Sequence, residues 1–130
     1  ANARWCGVNY LTFESTAAKD VHVLGDSIQI APAMPKSGHM ANSHGKVAAS
    51  AIVAQLAGWD VNPAPMLTNT CYSFVDEKNV VHVASVHEYV AAEKTFKTVA
   101  TSGGLSAAPS ELEGVYALNW ASNIWADSLA

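Results

Sequence analysis

Residues 21–46, VHVLGDSIQIAPAMPKSGHMANSHGK, decide how the rest of the chain is read. Val21 to Leu24 is short, β-branched and bounded by Asp20 and Gly25, which predicts a strand ending in Gly25-Asp26. Met34 to Gly38 predicts a turn, because Pro35 disfavours helix at Met34 and can itself open one. A helix is expected to begin near Ser37. A carboxylate at the tip of a strand, beside a helix N-terminus with its unpaired N–H groups and partial positive charge, is how open α/β domains present a ligand crevice. The sequence has no GxGxxG, so the turn that would grip a pyrophosphate is absent from it.

Working outward, the helix carries Val47, Ala48, Ala51, Ile52 and Gln55 at helical spacing and is expected to stop at Gly58. Upstream, residues 1–20 read as an irregular or short-strand lead-in, with Trp5, Tyr10, Leu11 and Phe13 available to pack. Downstream, Trp59 to Thr68 contains Pro63 and Pro65 and reads as a linker. The apolar period then becomes two. Thr70 to Val75 and Val80 to Val86 predict a hairpin around the polar turn Asp76-Glu77-Lys78-Asn79, and Thr95 to Ala100 a third antiparallel strand. Thr101 to Pro109 reads as a small-residue loop. Ser110-Glu111-Leu112-Glu113 has capping-box spacing and opens a last helix with Leu112, Val115, Tyr116, Trp120, Ile124 and Leu129 as its apolar face. The fold class is therefore α/β, turning to α+β at the C-terminal end, with a boundary between residues 1–60 and 61–130.

At 130 residues the chain is one modest domain or a piece of a larger protein. Half its residues are hydrophobic and 14% are charged, which predicts a packed core. A formal net charge of −4, with no basic run, argues against nucleic acid or an anionic membrane as main partner. No apolar stretch reaches the ~20 residues that span a bilayer. The N-terminal ANARWCGVNYLTFES has no basic region followed by an apolar one, so it does not read as a signal peptide, and it resembles mid-domain sequence. Two cysteines, Cys6 and Cys71, are too few for a disulfide scaffold.

Taken alone, each chemistry-bearing residue has a bland reading. Asp26 after a strand is most often a turn or cap residue, and Ser37 commonly caps a structural helix. Cys71 at a strand start is usually a small buried hydrophobe, and Trp120 and Trp125 are more often core or interface anchors. The histidines suggest no metal site: His39 and His44 lie five apart on a helix, His82 and His87 five apart on a strand, and each pair diverges.

The strings TFES, VHVLGD, MPKSG, ANS, GKVAA and NTCYS change the weighting. In this order and at nearly this spacing they resemble the flavoprotein subunit of flavocytochrome c sulfide dehydrogenases. The resemblance runs from about Trp5 to the last helix, with MPKSG followed by NTCYS its most specific part. It implies the end of a glutathione-reductase-like FAD domain followed by an antiparallel-sheet-plus-helix interface domain.

By position, Asp26 resembles the acid that hydrogen-bonds the ribityl chain of FAD. Met34, Pro35, Lys36, Ser37 and Gly38 resemble the turn and helix start facing the pyrimidine edge of the flavin, where a helix N-terminus lowers the cost of negative charge by about 1–2 kcal/mol. Cys71 resembles one half of a redox-active disulfide whose partner lies in an N-terminal part of the flavoprotein. Trp120 resembles an aromatic near the flavin. The loop between Asp26 and Met34 is one residue longer than the family pattern, and His44 stands where the family often has Gln. The resemblance further implies sulfide as substrate, FAD shared with the N-terminal part, haem c on a cytochrome c subunit, and a periplasmic location. Two alternatives stand beside it: a flavin reductase serving a quinone or nicotinamide, and a non-catalytic dimerisation or cytochrome-docking module.

Overall fold

The computed structural model describes residues 4–129. Its organising element is helix α1, Gly38–Ala57. Ser37 is extended and its Oγ accepts the Met40 N–H at 3.0 Å, so the helix begins where a serine cap should put it. At the other end Gly58 adopts the left-handed conformation and its N–H caps the last turn. Met40, His44, Ala48, Ala51 and Ala54 recur every three or four residues and are buried.

Ahead of α1, the lead-in contains two very short antiparallel strands, β1 (Val8–Asn9) and β2 (Glu14–Ser15). The strand expected over Val21 to Leu24 is not one. That segment is extended, but it joins β2 through a single bridge between His22 and Glu14, flanked by hydrogen bonds from Ser15 N to Val21 O and from Val23 N to Phe13 O. A strand needs a continuous partner, and β2 is two residues long. Gly25–Ser27 then forms one 3-10 turn. The expected turn over Met34 to Gly38 lies earlier, at Ala31 to Met34, closed by Met34 N to Ala31 O at 3.1 Å. Pro32 takes its second position and Ala33, at φ 59°, its third, where a turn of this kind needs a positive φ. Pro35 instead sits in an irregular run that delivers the chain to Ser37.

Beyond Pro65 the chain forms one antiparallel sheet of order β3-β4-β5: β3 (Met66–Phe74), β4 (Val80–Val90) and β5 (Thr95–Leu105). The hairpin turn falls where expected. The Asp76 carboxylate accepts the backbone N–H groups of Lys78 and Asn79 and the Asn79 amide, and these bonds lower its pKa. All three strands outrun their sequence patterns. The linker gives up Met66 to Thr68 to β3, and the first five residues of the expected loop, Thr101 to Leu105, belong to β5. A bulge between Ser85 and His87 lets those small residues resume pairing with β4. Gly103, at φ 108°, faces Ser85 there, and any Cβ on it would run into the Ala84 carbonyl.

Helix α1 lies along the free edge of β3. His39 Nδ1 accepts the Thr70 N–H at 2.8 Å, and four residues on, Ser43 Oγ donates to Thr68 O at 3.1 Å. Helix α2 (Glu111–Leu129) crosses the sheet, with Ser110 Oγ accepting the Glu113 N–H at 3.2 Å as the capping box predicts. Its packed stripe differs from the expected one. Gly114 and Ala117 are buried and Trp120, Ala121 and Ile124 half-buried, whereas Leu112, Val115, Tyr116 and Leu129 are exposed. Close approach explains the choice: a Cβ on Gly114 would collide with the Lys78 carbonyl, so only small residues fit that line.

The main core draws on both sides of residue 60. Phe13, Ile28, Ala31, Met34, Met40 and Ala48 enclose Leu67 of β3 and Phe96 of β5, with Tyr10 and Tyr89 edge-on to the Phe96 ring. Burying a Leu or Phe fully is worth about 1.5–3 kcal/mol, so each side stabilises the other.

Candidate functional site

Where the N-terminus of α1, the second half of β3 and the middle of α2 meet, they enclose a cavity of about 310 Å³. Ser37, Gly38, Cys71 and Trp120 all line it, with Tyr72 and Phe74 adding aromatic surface. The four arrive from three elements far apart in sequence. Trp120 is held over the helix start, its ring 5.4 Å from that of His39, and a Cβ on Gly38 would lie in ordinary contact with the indole. The Ser37 cap takes up the Met40 N–H and leaves those of Gly38 and His39 unbonded among the described residues.

Cys71 is a half-buried free thiol, and Cys6 is exposed and also free. The residue beneath Cys71 is Asn69, 3% exposed and two positions back on the same face of β3. Its Nδ2 donates to Cys71 Sγ at 3.4 Å, and its Oδ1 accepts from Ser37 Oγ. The helix cap and the thiol are thus joined through one buried amide. Sequence reasoning met Asn69 only within NTCYS and His39 only as a rejected metal ligand, and gave neither a role at the cavity. The two-residue spacing of Asn69 and Cys71 on a strand was the available signal for the first; His39 reaches β3 across 31 residues and leaves no local trace.

The remaining candidates lie elsewhere. Asp26 is exposed in the 3-10 turn, and its carboxylate makes no bond among the described residues. Lys36 ties that turn to the approach to α1: its ammonium donates to the Asp26 carbonyl and sits 3.5 Å from the Trp5 ring centroid. Met34 is 2% exposed and belongs to the core, so its side chain packs rather than lining the cavity. Pro35 is half-buried in the irregular run before Ser37 and does not line it either. Trp125 is exposed on the far side of α2. Among the described residues no cluster of His, Cys, Asp or Glu could hold a metal, and no helix is long and apolar enough to cross a membrane.

The histidines expected to diverge do so. His44 is buried against Phe13, with ring centroids 4.6 Å apart, and its Nδ1 accepts the Gly25 N–H at 3.2 Å. Burial drives its pKa down to about 4, with nearby Asp26 opposing and His87 adding to the effect. His82 lies on the other face of the sheet, where its Nδ1 and the Ser106 hydroxyl converge on Glu113 at 2.9 and 2.7 Å. Ser106 and His82 together hold the Glu113 carboxyl below its usual range. This cluster pins the first turn of α2 to β4 and so fixes the helix that carries Trp120.

A thiol, aromatic side chains and unpaired helix N–H groups thus share one cleft. Residues 63–129 match the family model described as flavocytochrome c sulphide dehydrogenase, flavin-binding. The chain belongs to that family, and its role is that of a flavoprotein oxidoreductase.

The residues present fit one part of a flavin. Ligand clefts run from about 300 to 1,000 Å³, so a cavity of about 310 Å³ suits an edge of the ring system rather than a whole dinucleotide. The free N–H groups of Gly38 and His39 suit an electron-rich edge, and Trp120 an aromatic face.

Proposed function

We propose that this chain forms the C-terminal part of a flavoprotein that oxidises sulfide and passes the electrons to a cytochrome c subunit. Residues 1–60 would complete an FAD domain and residues 61–130 serve as the interface domain beside it. The observation that carries the reading is the convergence of Cys71, Trp120 and the Ser37-Gly38 helix start on one cavity.

In this reading Cys71 is half of a disulfide with a cysteine outside the chain. The sulfide sulfur bonds to one sulfur of that pair, the S–S bond breaks, and the other sulfur leaves as a thiolate. FAD, when bound, would supply the acceptor for the two electrons set free as the thiolate and persulfide re-form the disulfide and release the sulfur in its zero-valent state, and would pass them on singly. This chain's residues do the rest. The helix start of α1 holds negative charge at the cofactor edge, Trp120 closes the cavity wall, and Asp26 presents a carboxylate for the sugar-alcohol chain. The haem on the cytochrome subunit and a periplasmic location rest on the family resemblance.

A docking role has its own support: α2 exposes Leu112, Val115, Tyr116, Leu118 and Trp125, an apolar face that a partner could cover. The two roles are compatible.

Cys71→Ser in the complete flavoprotein is the deciding variant. A hydroxyl nearly matches the thiol in size but forms no disulfide, so flavin should stay bound while its rapid reduction by sulfide, followed in stopped flow, is lost. Dithionite should still reduce it. Near-parent rates with sulfide would reject the redox role of Cys71.

A further inference from the structure

We infer that Asn69 is a positioning residue for the Cys71 sulfur: Ser37 fixes the orientation of its side-chain amide, which aims an N–H at Sγ and stabilises the thiolate. This deepens the function proposed above and rests on it for its biological meaning, though not for its chemistry.

The orientation follows from counting donors and acceptors. Ser37 has one hydroxyl proton. Its oxygen accepts the Met40 N–H at 3.0 Å, so the proton is free to be donated. Asn69 Oδ1 is its acceptor. With Oδ1 engaged there, Nδ2 is the end of the amide at Cys71, 3.4 Å from Sγ against 3.7 Å for Oδ1. The reverse orientation would set an amide N–H against the hydroxyl that already accepts the Met40 N–H, and would give up the oxygen that receives the Ser37 proton. A donor aimed at a sulfur favours its charged form. The N-terminus of α1 adds to this, since the donors run in series: Met40 N–H to Ser37 Oγ, the Ser37 hydroxyl to Asn69 Oδ1, and the Asn69 amide to Cys71 Sγ. On ionisation the thiol proton leaves to solvent. The bond remains, with the amide as donor.

The test is the pH dependence of alkylation of Cys71 by iodoacetamide in the reduced holoenzyme, read by the mass of the Cys71 peptide, in a Cys6→Ser background. Asn69→Ala should move the profile to higher pH and slow alkylation near neutrality roughly tenfold, as expected for loss of a hydrogen bond to a charged group. Asn69→Asp, which places an oxygen where the donor was, should slow it further. Ser37→Ala should shift the profile in the same direction by less, while Ser37→Thr, which keeps the hydroxyl, should restore the parent profile. If Asn69→Ala fails to fold, the Ser37 pair still decides the matter. An unshifted profile would show that Asn69 only packs, and a shift to lower pH would show that its oxygen, not its nitrogen, faces the sulfur. Either result overturns the inference. Because the assay reads thiol ionisation and not sulfide turnover, its outcome is separate from that of the Cys71→Ser experiment.

Discussion

At the scale of single residues, His44 is the group whose charge state is most tightly bound to the fold. It is 1% exposed, its Nε2 is buried without a hydrogen-bond partner among the described residues, and burial lowers its pKa from 6.5 to about 4. The unfolded chain therefore binds this proton first. Stability is unaffected above about pH 6.5, declines as pH falls from there toward about 4, and has lost this contribution below it. Buried His87, also lowered by desolvation, adds a slope of the same sign. Urea midpoints measured from pH 7 to 4 should fall, and His44→Gln should flatten the decline. An amide keeps an acceptor for the Gly25 N–H and takes up no proton in that range. A variant with the parent slope would place the acid sensitivity elsewhere. Residues whose job is local were legible in the sequence: Ser37, Gly58 and Ser110 cap their helices because capping chemistry is settled within three or four residues. His39 and the Ser37 contact of Asn69 were not, because each joins groups more than thirty positions apart.

At the scale of elements, the hairpin and both helices were readable, but their edges and faces were not. Thr101 to Leu105 has loop composition and becomes strand only because β4 offers it a partner after the bulge. Val21 to Leu24 has strand composition and stays unladdered because its neighbour is two residues long. In α2 the expected face held for Trp120 and Ile124 but not for Leu112, Val115, Tyr116 and Leu129, because backbone approach at Gly114 and Ala117 sets the packed line. Gly114→Ala tests this directly. The added methyl has the Lys78 carbonyl in its way, so the variant should lose about 1–3 kcal/mol despite alanine's better helix propensity. Chemical denaturation would measure the loss, and a gain in stability would mean that α2 does not sit as close to the hairpin turn as described.

At the scale of the molecule, the shared core makes the two sides of residue 60 interdependent. Leu67→Ala should cost about 2–5 kcal/mol, since its cover comes from Phe13, Met34, Met40 and Phe96. Circular dichroism of the helices and fluorescence of the tryptophans should then report one coincident, destabilised transition. Two separated transitions would mean that the N-terminal layer and the sheet fold independently. The arrangement of α1 beside β3 has one more consequence. With His39 and Ser43 already bonded to Thr70 and Thr68, that side of the sheet cannot template another strand, and at β5 the left-handed Thr101 and the two glycines after Ser102 spoil the straight run that a recruited strand would copy. Growth of the sheet by polymerisation is thus hindered at Thr68 to Thr70 on one margin and at Thr101 to Gly104 on the other, which favours assembly through side chains on its faces and helices.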